Sequence, residues 1–149
     1  MGEARFEQAI AIRAAPEAVH AFLLDLHHHR DLHPLIERID DLPANPERPG
    51  ARRYRVTDRL PLGPFRLRTA YVAEIEDVSP AEIRGAAWQS PGVEVRTRYR
   101  IEPGADGGTL LREECVLSAP RLLLGYAARQ AEAAHRATFA KLADLLGSA

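Results

Sequence analysis

From position 53 to 118 the chain alternates apolar and polar side chains with a period of two, the spacing of half-buried strands. In 53–60, Tyr54, Val56, Asp58 and Leu60 share a face opposite Arg53, Arg55, Thr57 and Arg59. In 65–77, Phe65, Leu67, Thr69, Tyr71, Ala73 and Ile75 face one way, and a shorter strand follows over 81–89. The clearest alternation is 93–101, where Val93, Val95, Thr97, Tyr99 and Ile101 oppose Glu94, Arg96, Arg98 and Arg100. Residues 109–118 place Leu111, Glu113, Cys115 and Leu117 on one face. Turn-forming stretches at 61–64, 77–80, 90–92 and 103–108 separate these runs, which predicts an antiparallel meander with one wet, arginine-rich face.

The two ends of the chain read differently. Residues 5–12 alternate well enough for a first strand, with Phe6, Ile10 and Ile12 on one side and either Gln8 or Ala9 between them. Pro16 then opens a helix, at a position where its missing N–H costs nothing. Val19, Phe22, Leu23 and Leu26 form its buried face, and Leu32, Leu35, Ile36 and Ile39 predict a second short helix starting near Pro34. PANPERPG, 43–50, is a loop by composition. From Pro120 to about Leu146 no further proline appears and alanine is abundant, which predicts one helix of roughly 40 Å at ~1.5 Å per residue. Leu124, Ala128, Ala131, His135, Thr138, Leu142 and Leu145 follow one stripe, widened by Phe139 and Leu146. That stripe must lie on something apolar, and the inner face of the sheet is the candidate. Gly125, near the start of this helix, predicts either a bend, where Leu122, Leu123 and Leu124 could form a flexible gate, or close packing against the sheet.

Composition narrows the function classes. At 149 residues, 46% apolar and 28% charged, the chain reads as a single domain, 1–149, with a sizeable core. A net charge of -1 argues against non-specific nucleic-acid binding, which needs excess cations. Cys115 is the only cysteine, so no intrachain disulfide forms, which fits a cytoplasmic location. The N-terminal stretch lacks the pattern of a signal peptide, and no apolar run approaches the ~20 residues of a membrane span.

LHHHRDLHP, 26–34, carries four histidines. His27, His28 and His29 are consecutive and point apart on a helix, while His29 and His33, at i and i+4, could share a face. A third metal ligand would have to come from His20, Asp25 or Asp31, and no HExxH pattern is present. No metal and no cofactor is expected. The inward polar residues say more. Asp58 and Glu113 fall on faces otherwise filled by Tyr, Val, Leu and Cys; His135 falls on the apolar stripe of the long helix; Thr69, Tyr71, Thr97 and Tyr99 add hydroxyls. A frayed or bulged strand at Asp58, an arginine partner for Glu113 and a core position for His135 would each explain one of these. An internal cavity explains them together, because apolar walls with a few convergent polar groups describe a small-molecule pocket. Its walls would be Tyr54, Val56, Leu67, Thr69, Tyr71, Val95, Thr97, Tyr99, Leu111 and Cys115 from the strands. Leu124, Ala128, Ala131 and Thr138 would come from the helix.

The stretches AIRAAPEAVHAFLLDLHHHRDLHPLIERI, 9–39, and HRATFAKLADLL, 135–146, resemble the opening and ending of the START-like, SRPBCC or polyketide cyclase/dehydratase superfamily. The resemblance covers essentially the whole chain. It implies an α+β helix-grip fold: a curved antiparallel sheet of six or seven strands around a long C-terminal helix, with two short helices after strand 1. It places His33 near the open end of a cavity. The partner it implies is a hydrophobic small molecule: a lipid, polyketide, aromatic or isoprenoid. The cyclase relatives imply an alternative, enolisation and dehydration with His135 and Glu113 or Asp58 as the acid–base set. A third reading, an interaction module with a closed interior, requires an exposed apolar patch that the arginine-rich strand faces do not advertise. No G-x-S-x-G elbow and no glycine-rich phosphate loop is present, which argues against covalent catalysis and phosphate binding.

Overall fold

A computed structural model describes residues 1–147. Seven strands form one antiparallel sheet in the order β1-β7-β6-β5-β4-β3-β2. They are β1 (Gly2–Ile12), β2 (Ile36–Leu42), β3 (Ala51–Leu62), β4 (Phe65–Ser79), β5 (Glu82–Gln89), β6 (Val93–Pro103) and β7 (Thr109–Ala119). Helix α1 (Pro16–Leu24) and a 3-10 helix (Leu26–Asp31) follow β1, and α2 (Arg121–Leu146) closes the chain. The sheet curves around α2, giving the expected helix-grip arrangement. The β3–β4 hairpin is tighter than its composition suggests. Leu62 pairs with Phe65, so the turn is Gly63-Pro64 alone, with Gly63 at the positive φ that two-residue hairpins require.

The segment after α1 departs from expectation. The second short helix lies over Leu26–Asp31, and Ile36–Leu42 is a strand, where the apolar spacing of 32–39 predicts a helix. The cause is a β-bulge. Ile36 pairs with Asp58, Arg38 with Thr57 and Ile39 with Val56, so the extra residue Glu37 places Ile36 and Ile39 on the same face although they stand three apart. That spacing imitates a helix. Pro34 also removes one backbone donor and pushes His33 out of the helical region.

The core is concentrated at one end. Val19 and Leu23 of α1 meet Ile12, Ile83, Ile101, Leu111, Phe139 and Leu142 there. On α2 the buried residues are Ala134, Thr138, Phe139, Leu142 and Ala143, while Leu145, expected on the apolar stripe, is 60% exposed. Helix α2 runs unbroken through Gly125, and a Cβ there would meet only the Arg129 guanidinium at ordinary contact distance. Neither the bend nor the close packing expected at Gly125 is found. The tight approach falls at Gly2 instead, where a Cβ would come within 2.6 Å of the Leu124 side chain. The outer face of the sheet is a lattice of ion pairs, for example Glu82 with Arg84 and Arg98, and Glu114 with Arg100.

Candidate functional site

Between the inner face of the sheet and the N-terminal half of α2 lies a cavity of about 500 Å³. Its existence follows from small residues facing each other. Gly85 and Ala87, on the inner face of β5, line it together with Ala127, Ala131 and Ala134 of α2, and none of these side chains reaches far enough to close the gap. Leu60, Leu67, Val93, Val95 and Leu117 supply apolar wall, with Leu123 and Tyr126 at the start of α2.

One polar cluster beside the chamber is assembled from four elements. Gln8, Glu113 and Tyr99 occupy one row across β1, β7 and β6, and His135 of α2 sits above that row. His135 Nδ1 donates to Glu113 Oε2 at 2.7 Å, and Gln8 Nε2 donates to Glu113 Oε1 at 2.7 Å and to the His135 carbonyl at 3.1 Å. Glu113 is almost fully buried. Burial alone would raise its pKa, but the His135 hydrogen bond and charge and the Gln8 amide together hold it below the usual carboxylate range. Burial and the neighbouring Glu113 charge push the Tyr99 phenol up, so it stays neutral. Phe6 packs edge-on against the His135 ring, centroids 5.5 Å apart.

A second polar group lies toward β2 and β3. Asp58 is buried, and its Oδ1 has no hydrogen-bond partner among the described residues. Burial raises its pKa to about 6. Its strand partner Thr69 likewise has an unpartnered hydroxyl. Burial and the nearby Asp58 raise the Tyr71 phenol.

The 3-10 turn sorts the three consecutive histidines. His27 bonds Asp41 at 2.7 Å, His28 stacks on Phe22 and meets its carbonyl at 2.8 Å, and His29 turns inward to the cavity. His33 also lines the cavity, its Nδ1 accepting the Leu35 N–H at 3.3 Å. Burial lowers the pKa of both His29 and His33 to about 4, with a smaller push from His135. Both rings are therefore neutral near pH 7. Among the described residues no group of three or more His, Cys, Asp or Glu side chains is arranged to hold a metal; His20, the third-ligand candidate, bonds Asp77 instead.

Of the residues singled out from sequence, the structure brings His33, Asp58, Leu67, Tyr71, Val95 and Thr97 to the cavity wall. Tyr99, Ala131, His135 and Thr138 join them. Others sit elsewhere. Tyr54, Val56, Leu111 and Cys115 are packed in the solid core, because the inner face of the sheet is hollow only along part of its length. Burial pushes the Cys115 thiol up to about 12, so it is unreactive. Leu124 packs over Gly2; Ala128 is half-buried off the cavity wall, and Thr69 stands behind it. Glu113 does not line the cavity and acts on it through His135. Sequence reasoning gave no site role to Gln8, to the small inward residues Gly85 and Ala87 of β5 or to Tyr126; it placed His29 beside His33 without making it wall, and Leu123 only in a gate. The small residues of β5 were a readable signal, and the shared face of His29 and His33 was another.

A family model described as "Polyketide cyclase / dehydrase and lipid transport" matches residues 3–147. No curated protein matches the chain. Among solved structures, the di-domain ARO/CYC StfQ from the steffimycin biosynthetic pathway superposes with a TM-score of 0.74 at 12% identity, covering 97% of this chain and 50% of that one. This chain thus spans half the length of that di-domain protein. The Zhui aromatase/cyclase from Streptomyces sp. R1128 gives 0.69 at 18% identity, covering 98% and 93%. A START superfamily protein from Mycobacterium smegmatis gives 0.68 at 15%, covering 97% and 99%. At these identities the likeness is one of fold.

Proposed function

This chain belongs to the polyketide cyclase / dehydrase and lipid transport family, and on that premise we propose that its cavity takes up a hydrophobic small molecule. The observation that carries the reading is the hollow itself, about 500 Å³ of mostly apolar wall between β-sheet and α2. Affinity comes from apolar area removed from water, at about 25 cal/mol per Å². Orientation comes from the neutral rings of His29 and His33 and from Asp58, Tyr71 and Tyr99. Native mass spectrometry and titration with a neutral apolar fluorophore such as N-phenyl-1-naphthylamine test it. Uptake of one probe per chain is expected, with a stability gain of ~2.7 kcal/mol at a hundredfold excess over Kd. A chain that takes up no apolar probe would overturn the reading.

One observation favours a second role for the same cavity, acid–base catalysis of cyclisation or dehydration. Buried Glu113 holds the Nδ1–H of His135, which fixes the tautomer and leaves Nε2 as the free base. From there His135 takes a proton from carbon next to a ligand carbonyl and later returns it to a departing hydroxyl. Such a group contributes about 10²–10⁴ in rate. A loss of that size on His135→Ala, with probe binding retained, is the expected result. Undiminished turnover would remove the catalytic role and leave binding intact.

A further inference from the structure

Among the described residues most of the large exposed apolar side chains cluster, while Val78 and Leu145 lie elsewhere. Leu122 is 99% exposed and Phe65 73%; Leu67, Leu123 and Tyr126 are also exposed. All five belong to two segments at one end of the sheet: the β3–β4 hairpin and the first turns of α2. The register places them there: Gly2 pairs with Ala119 just before α2, Glu94 pairs with Ser118, Gln89 with Val93 and Val72 with Trp88, so Phe65 at the start of β4 lies toward that same end. Leu67, Leu123 and Tyr126 also line the cavity, so this apolar lip surrounds its mouth.

Charge follows the same geography. Residues 59–68 and 120–131 contain five arginines, Arg59, Arg66, Arg68, Arg121 and Arg129, and no aspartate or glutamate. Arg59 and Arg68 share Glu37; Arg66, Arg121 and Arg129 have no ion-pair partner among the described residues. Elsewhere on the sheet most arginines are matched by acids, with Arg52, Arg53 and Arg55 of β3 the exceptions among the described residues. The mouth is the place where protruding apolar side chains and unneutralised cations coincide.

We propose that this lip docks on an anionic lipid surface, with Phe65 and Leu122 entering the acyl boundary and the arginines meeting the headgroups. Apolar side chains on a basic surface bind such a membrane through buried area and charge together. Two tips that protrude on either side of an opening need no complementary pocket to bury them. A second copy of this chain is disfavoured as the occupant, since a symmetric contact would set arginines against arginines. The arrangement lets an apolar guest pass between bilayer and chamber without crossing water. Docking goes beyond occupancy of the cavity and does not require it.

Sedimentation with vesicles of phosphatidylcholine, with and without phosphatidylglycerol, tests the proposal. The full chain is expected to bind the anionic vesicles and to release them at high salt. The Phe65→Ser/Leu122→Ser pair should weaken that binding by at least ~tenfold, and Arg66→Gln/Arg121→Gln/Arg129→Gln should abolish the preference for phosphatidylglycerol. Uptake of the neutral fluorophore in solution should be unchanged in both variants, which separates failure of docking from failure of the cavity. Absence of vesicle binding, equal binding by the Ser pair, or an exclusive preference for an acidic protein over vesicles would overturn it.

Discussion

In the C-terminal half of α2, Ala134, Thr138, Phe139, Leu142 and Ala143 are buried, whereas no residue from Arg121 to Ala133 is. Both halves belong to one uninterrupted helix lying over one sheet. The difference is in what faces them. Ile12, Ile83, Ile101 and Leu111, backed by Val19 and Leu23 of α1, meet the C-terminal half and fill the space. Gly85 and Ala87 face alanines of the N-terminal half and leave it empty. One end of the molecule therefore holds the fold together and the other holds a chamber. Local stability need not be uniform in a cooperative domain, and this division frees the chamber from the demands of close packing.

The strongest way to break this comparison is truncation at each end. Leu142→Ala removes a fully buried side chain and should cost ~2–5 kcal/mol in urea unfolding. Leu123→Ala at the mouth should cost no more than ~0.5 kcal/mol. Equal losses would mean that the open end contributes to the core after all. Enlargement sharpens the same point. Ala143→Leu overpacks the closed end and should destabilise by ~1–3 kcal/mol. Ala131→Leu points into the hollow, should leave stability nearly unchanged and should block uptake of the fluorophore.

A slope in pH reads the wall histidines. Folded His29 and His33 remain neutral down to about pH 4, while an unfolded histidine gains its proton near 6.5. Between those values the unfolded chain holds the extra protons, so stability falls with acid, by up to ~1.4 kcal/mol per pH unit for each histidine. Asp58 acts in the opposite sense. With a folded pKa of about 6 the folded chain holds the extra proton between its ordinary value and 6, and stability gains with acid there. Urea unfolding from pH 6.5 to 4.5 should show a net loss in the wild type. His29→Gln/His33→Gln should abolish or reverse it. A flat wild-type profile would contradict the neutral state of these rings.

Much of the fold was legible in the order of side chains. Alternation identified β3 to β7 to within a few residues, Pro16 marked α1, and the alanine-rich run after Pro120 marked α2. Asp58, Glu113 and His135 stood out as polar groups on apolar faces, and the structure sets Glu113 against His135. What misled was spacing without register. Ile36 and Ile39 read as helical because a bulge at Glu37 put them on one side of a strand. Tyr54, Val56, Leu111 and Cys115 read as cavity wall because they share faces with residues that do line it.

The sequence by itself determined which side of β3, β4, β6 and β7 turns inward and which polar groups go with it, because side-chain direction is a local consequence of backbone period. Only the tertiary structure decided where along those inward faces the interior is filled and where it is hollow. That depends on the summed reach of side chains from facing elements, such as Ala87 on β5 and Ala131 on α2, which no single stretch of chain contains.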